Sequence, residues 1–150
     1  VRATGRRRVP ISFGWHPYFR LPGVKRADVV LGLPQRDHLE LDERGLPTGH
    51  SRREPAEVRP LGKREVDDAH KLGRDRSLSI EGGGRRLAIE FDRTYPWAQV
   101  YAPAAASPTN WFVCLEPMTA PIDALSNETC PVIPPGGAFT ARCSITMSAS

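Results

Sequence analysis

The sequence predicts an all-β fold, an antiparallel β-sandwich, and three observations carry that prediction. Apolar and polar residues alternate over short runs, and no segment longer than about ten residues repeats at helical spacing. The 15 prolines and 13 glycines among 150 residues break or weaken long helices. Turn residues separate the runs, as expected of a sandwich built from many short strands. The length fits one domain over residues 1–150. A chain of this size can bury roughly two thirds of its unfolded surface.

Taken in order, Val29 to Leu33 and Leu39 to Leu41 read as short strands, and Arg44 to Gly49 turns the chain after them. Residues 51–76 are rich in charge and poor in pattern, and the expectation there is a long irregular loop, functional or disordered. Ser77 to Glu81 and Leu87 to Phe91 both alternate, and the glycines between them make a hairpin turn. That glycine run is followed by neither Lys-Ser nor Lys-Thr, so it is not read as a phosphate loop. Over Tyr95 to Tyr101, the side chains of Trp97, Gln99 and Tyr101 fall on one face and those of Ala98 and Val100 on the other. A small-residue loop from Ala102 to Asn110 leads to a strand over Trp111 to Glu116. Arg142 to Ser148 reads as a closing strand, with Cys143, Ile145 and Met147 inward and hydroxyls outward.

Composition removes several classes of function. At 39% hydrophobic residues, no window reaches the roughly 18 apolar residues of a membrane span. The first eight residues carry no apolar signal region, and without an initiator Met the chain is expected to start inside a longer protein. The net charge of +4 is uneven, because residues 1–93 hold 20 of the 21 basic and 14 of the 17 acidic residues. Acids are interspersed and only Arg6 to Arg8 form a basic run, so nucleic acid is not an expected partner. Cys114, Cys130 and Cys143 lack metal-ligand spacing and form no disulfide framework. Their odd number fits reduced, packed thiols in a cytoplasmic protein.

Three places hold residues suited to chemistry. His16 lies among Phe13, Trp15, Tyr18 and Phe19, an apolar setting in which an imidazole's pKa moves across neutrality. Composition alone leaves a core histidine bound to a backbone carbonyl equally open. Glu116 ends an otherwise apolar strand, where a carboxylate is costly unless paired, hydrogen-bonded or open to a cleft. Pairing with an arginine is the plain alternative. The adjacent Asp67 and Asp68 point to opposite faces if extended, so one can meet a ligand while the other meets water; a charged loop is the simpler reading. His38 and His50 stand in polar surroundings and read as surface residues.

Four segments in order resemble the bacterial aldose 1-epimerases, or galactose mutarotases. They are Phe13-Gly14-Trp15-His16-Pro17-Tyr18-Phe19, Leu46-Pro47-Thr48-Gly49, Val66-Asp67-Asp68-Ala69 and Glu116-Pro117-Met118-Thr119-Ala120-Pro121-Ile122-Asp123-Ala124-Leu125, with Pro135-Gly136 following. The resemblance implies a galactose-mutarotase-like β-sandwich that interconverts the anomers of a free aldose without cofactor or metal. It implies His16 as general acid, Glu116 as general base and Asp67 as a ligand of sugar hydroxyls, with Asp68 one residue away as the alternative. Trp15, Tyr18, Phe19 and Trp97 are candidates for the apolar wall against which a pyranose stacks. The family carries an aromatic where His70 stands. Its members are about twice as long, so the resemblance covers their C-terminal half, and an isolated half would expose sheet edges and a core face able to self-associate. A hexose-phosphate epimerase, with Arg52, Arg53, Arg74 and Arg76 holding the phosphate, and a non-catalytic sugar-binding sandwich are the other functions considered.

Overall fold

The protein is described by a computed structural model over residues 1–149. Along the chain the strands are β1 (Val9–Pro10), β2 (Tyr18–Phe19), β3 (Val30–Leu33), β4 (Arg36–Leu41), β5 (Pro47–Glu54), β6 (Glu57–Pro60), β7 (Val66–Leu72), β8 (Ser77–Gly82), β9 (Arg85–Phe91), β10 (Trp97–Ala102), β11 (Val113–Met118), β12 (Val132–Ile133) and β13 (Cys143–Ala149). They form a six-stranded sheet in the order β2-β11-β10-β7-β4-β5, a five-stranded sheet in the order β13-β9-β8-β3-β6, and a small β1-β12 pair. Among the described residues every strand pairing is antiparallel.

Period-two alternation becomes burial wherever the two large sheets face each other. Leu31, Leu78, Ile80 and Ile89 of the five-stranded sheet share one core with Val100, Val113 and Leu115 of the other. Each such side chain contributes about 1.5–3 kcal/mol by leaving water. Trp111 closes one end, its indole N–H donating to the Val24 carbonyl at 2.9 Å. The predicted hairpin is present as β8 and β9, and Gly83 and Gly84, at φ of 57° and 68°, supply the left-handed pair that a two-residue turn requires.

Residues 51–76 correct the sequence reading. Instead of an irregular loop they hold the end of β5, all of β6 and all of β7, which lies inside the six-stranded sheet between β10 and β4. Polar residues stand on both faces of β7, which hides its alternation. Val66, Asp68, His70 and Leu72 share one face, and Asp67, Ala69 and Lys71 the other. On the Asp68 face the core turns polar. Arg36 is 5% exposed and pairs with Glu54 at 2.7 Å and Glu57 at 3.4 Å, joining β4 and β5 to β6 of the opposite sheet. Its guanidinium also donates to the carbonyls of Pro34 and Pro55, both at 3.2 Å.

The closing strand differs from expectation in burial. Ile145 and Met147 pair with Ile89 and Leu87 and so share their face, yet they are 55% and 54% exposed. β13 is the outermost strand of its sheet.

Candidate active site

The segment from Phe13 to Phe19 runs antiparallel beside β11 and brings two distant motifs together. Thr119 fixes one end, its backbone N–H and hydroxyl both donating to the Phe13 carbonyl at 2.9 Å while its Oγ1 accepts from the Phe13 N–H at 3.0 Å. Gly14 then opposes Met118, and Tyr18 opposes Cys114. The position midway between them places His16 opposite Glu116, and His16 Nε2 stands 3.2 Å from Glu116 Oε1. Pro17, which has no N–H, falls where the ladder is already interrupted.

The same registers carry the row across the sheet. Ala69, Gln99, Glu116 and His16 form its centre, flanked on one side by Asp67, Tyr101, Cys114 and Tyr18 and on the other by Lys71, Trp97 and Met118. Gln99 donates from Nε2 to Asp67 Oδ1 at 2.6 Å. Tyr18 stacks on His16 with ring centroids 4.8 Å apart, and Phe112 packs between Tyr18 and Tyr101. At the other end the Lys71 ammonium lies over the Trp97 ring at 5.4 Å. Depressions flank the row at both ends, one of about 370 Å³ reaching Asp67 and Tyr101 and one of about 430 Å³ reaching Lys71 and Trp97. A larger cavity, about 590 Å³ beside Arg26 and Lys63, lies away from this face and contains none of its acid–base groups.

Electrostatics single out Glu116. Burial pushes its pKa up, nearby His16 pulls it down, and Asp67 pushes it up again, with a net rise above the ordinary glutamate value. A carboxylate of raised basicity touching an imidazole is the arrangement that general acid–base catalysis needs. Cys114 also brings its sulfur near the His16 and Glu116 donor atoms, all within 4.8 Å. Burial, then Glu116, lifts that thiol's pKa to about 11, which opposes the ionisation a metal-bound cysteine requires.

Of the residues singled out in the sequence, His16, Glu116, Asp67, Tyr18 and Trp97 come together on this face. Asp68 lies on the opposite face of β7, its Oδ1 3.7 Å from His38 Nε2. Phe19 turns into the core between the sheets, and Trp15 turns away from His16 to donate its indole N–H to the Tyr95 hydroxyl at 2.9 Å. Gln99, Tyr101, Phe112 and Lys71 join them on this face. Alternation in β10 already places Gln99 and Tyr101 beside Trp97, whereas Lys71 falls in the segment read as a loop. His38 is a correction: its side chain is 15% exposed and sits 3.1 Å from Glu54. Polar neighbours in sequence concealed its place on β4 beside β7.

The antiparallel sandwich thus presents a carboxylate, an imidazole and an aromatic rim on one sheet face. The sequence profile of the aldose 1-epimerase family matches residues 1–146, and the chain belongs to that family. Among solved structures, a galactose mutarotase-like protein from Clostridium acetobutylicum is 16% identical with a TM-score of 0.78, over 99% of this chain and 51% of its own. An aldose epimerase homologue from C. elegans is 18% identical with a TM-score of 0.76, over 97% of this chain and 54% of its own. The protein thus shares the galactose-mutarotase-like fold and spans about half the length of these structures. No protein of curated function matches the chain by sequence.

Proposed function

We propose that the protein interconverts the α and β anomers of a free aldohexose, galactose or glucose, by acid–base ring opening and reclosure without cofactor or metal. The observation that carries this reading is the 3.2 Å approach of His16 Nε2 to Glu116 Oε1. Anomer exchange acts on two oxygens bonded to one carbon, so the base serving one and the acid serving the other must be neighbours. The Glu116 carboxylate takes the proton of the C1 hydroxyl as the bond from C1 to the ring oxygen breaks. The electron pair goes to the ring oxygen, which takes the proton of the His16 imidazolium, and the aldehyde is free. After rotation about the C1–C2 bond the ring oxygen attacks the other face of C1 and returns its proton to His16, while Glu116 returns its own to O1. The raised basicity of Glu116 supports its role, since a base works best with a pKa near the working pH.

Asp67 takes sugar hydroxyls with Gln99 fixing its carboxylate, and Tyr18 and Trp97 supply apolar wall. Arg52 opposes His38 on the sheet face away from Glu116, and Arg53 pairs with Asp37, which supports an unphosphorylated sugar over a hexose phosphate. Three free cysteines support a cytoplasmic setting, and the uncovered apolar face of β13 supports self-association.

Polarimetry on freshly dissolved α-glucose and α-galactose tests the reaction. Glu116→Gln and His16→Asn are each expected to slow catalysed mutarotation by about 10²- to 10⁴-fold with the circular-dichroism spectrum unchanged. Losses below about tenfold in both would sink the assignment, and competition by glucose 6-phosphate would redirect it to phosphosugars.

A further inference from the structure

On the face of the six-stranded sheet opposite Asp67 lies a second cluster that the proposed chemistry does not use. His38 of β4, Glu54 of β5 and His70 of β7 bring their donor atoms within 4.8 Å of one another. His70 is 1% exposed, and among the described residues neither of its ring nitrogens has a hydrogen-bond partner. Leaving an imidazole buried and unsatisfied is costly unless something else engages it. Its ring meets that of His38 edge-on, with centroids 5.1 Å apart.

The two other donors converge on one point. His38 Nδ1 and Glu54 Oε1 are 3.1 Å apart, close to the roughly 3.3 Å between two ligands of a tetrahedral zinc with bonds of about 2.0 Å. The Arg52 guanidinium lies against both, its Nη2 3.0 Å from His38 Nδ1 and 2.9 Å from Glu54 Oε1. With Nδ1 accepting from Arg52, a lone pair and a carboxylate oxygen stand side by side and are reconciled by a positive charge. That charge comes from a side chain 66% exposed and free to swing out. Arg36 holds the other Glu54 oxygen at 2.7 Å, leaving Oε1 directed at the cluster, and Asp68 faces the far nitrogen of His38 at 3.7 Å, where an outer carboxylate orients a metal-bound histidine.

We propose that His38, Glu54 and His70 form a binding site for a divalent transition-metal cation of the zinc type, with Arg52 occupying the cation's place until it is displaced. Two imidazoles and one carboxylate suit zinc or cobalt and leave a fourth position for water. The site clamps β4, β5 and β7 together and lies on the other side of the sheet from Glu116, so it stands independently of the proposed reaction.

Titration with Co²⁺ reads the site directly, and the His16→Asn variant removes the second donor cluster at Cys114 and Glu116. One Co²⁺ per chain is expected, with the visible absorption of a low-coordinate nitrogen and oxygen site, and Zn²⁺ should displace it. His38→Gln and His70→Phe should each weaken binding at least tenfold, while Arg52→Gln, which removes the competing charge, should tighten it severalfold. His38 is the more accessible ligand, so His38→Gln serves should His70→Phe unfold the protein. Failure of the His16→Asn protein to bind one Co²⁺ overturns the site, as does binding that His38→Gln leaves unchanged.

Discussion

A Cβ added to Gly14 would collide with the Pro117 carbonyl oxygen, because the Phe13 to Phe19 segment passes too close to β11 there for any side chain. The same carbonyl accepts from the Trp15 N–H at 3.1 Å, so the two backbones are fixed beside each other one residue before His16. Gly14→Ala must push them apart because its contact is with backbone, which cannot rotate aside. We expect a loss of about 1–3 kcal/mol in stability, read by urea unfolding. The rate of mutarotation should fall further than Tm does, since His16 moves relative to Glu116 and a small misplacement costs about 10²-fold.

The pH profile should report the elevated basicity of Glu116. Its carboxyl is raised first by burial, against the pull of His16, and then by Asp67. The base is active as carboxylate, so kcat/KM should decline as pH falls through a value above the ordinary glutamate range. Asp67→Asn removes a charge that raises this pKa, and the acid limb should move to lower pH even as sugar affinity weakens. An acid limb that stays fixed in Asp67→Asn would show that Asp67 and Glu116 do not share a field.

What was legible in the sequence follows from where one face of a strand is apolar and the other is not. The hairpin of β8 and β9 and the face of Trp97, Gln99 and Tyr101 could be read because their inner residues are aliphatic and their outer ones polar. The strand β7 could not, since Asp67 and Lys71 face the site while Asp68 and His70 face a polar part of the interior. The pairing of His16 with Glu116 is long-range and depends on register. Each residue stood out alone for its cost in apolar company, and the family resemblance gave them opposing roles, but only Gly14 against Met118 and Tyr18 against Cys114 set the contact. Phe19 and Trp15 show the limit of naming aromatics by proximity in sequence: both neighbour Tyr18 or His16 along the chain, yet alternation in β2 sends Phe19 into the core, and Trp15, largely exposed, reaches the Tyr95 hydroxyl.

Arg36 supplies a stability test away from the site. Its guanidinium is the shared partner of Glu54 and Glu57, and burial alone would raise the Glu57 carboxyl, which Arg64, Arg36 and Arg59 together hold below its usual value. Arg36→Met keeps the volume but leaves two half-buried carboxylates short of a cation. Arg52 still reaches Glu54, and Arg59 and Arg64 still reach Glu57, so the loss should stay below the roughly 3–5 kcal/mol of a fully stranded charge, and thermal melts should show it. A joint Arg36→Met, Glu54→Gln variant should recover part of it, because one of the two carboxylates is then neutralised with its partner.

The β13 edge makes a prediction about assembly. Ile145 and Met147 continue the apolar face of Ile89 and Leu87 into solvent, and among the described residues β13 has a backbone partner on one side only. An edge strand with an uncovered apolar face is a template for pairing with another strand. Sedimentation velocity should therefore show mass rising with concentration in the 150-residue chain. Ile145→Lys with Met147→Glu places charge on that face at positions already half in water, so the monomer should melt as before while the association disappears. A wild-type chain that remains monomeric at every concentration would contradict the assignment of β13 as a contact surface, and the double variant would then behave identically to it.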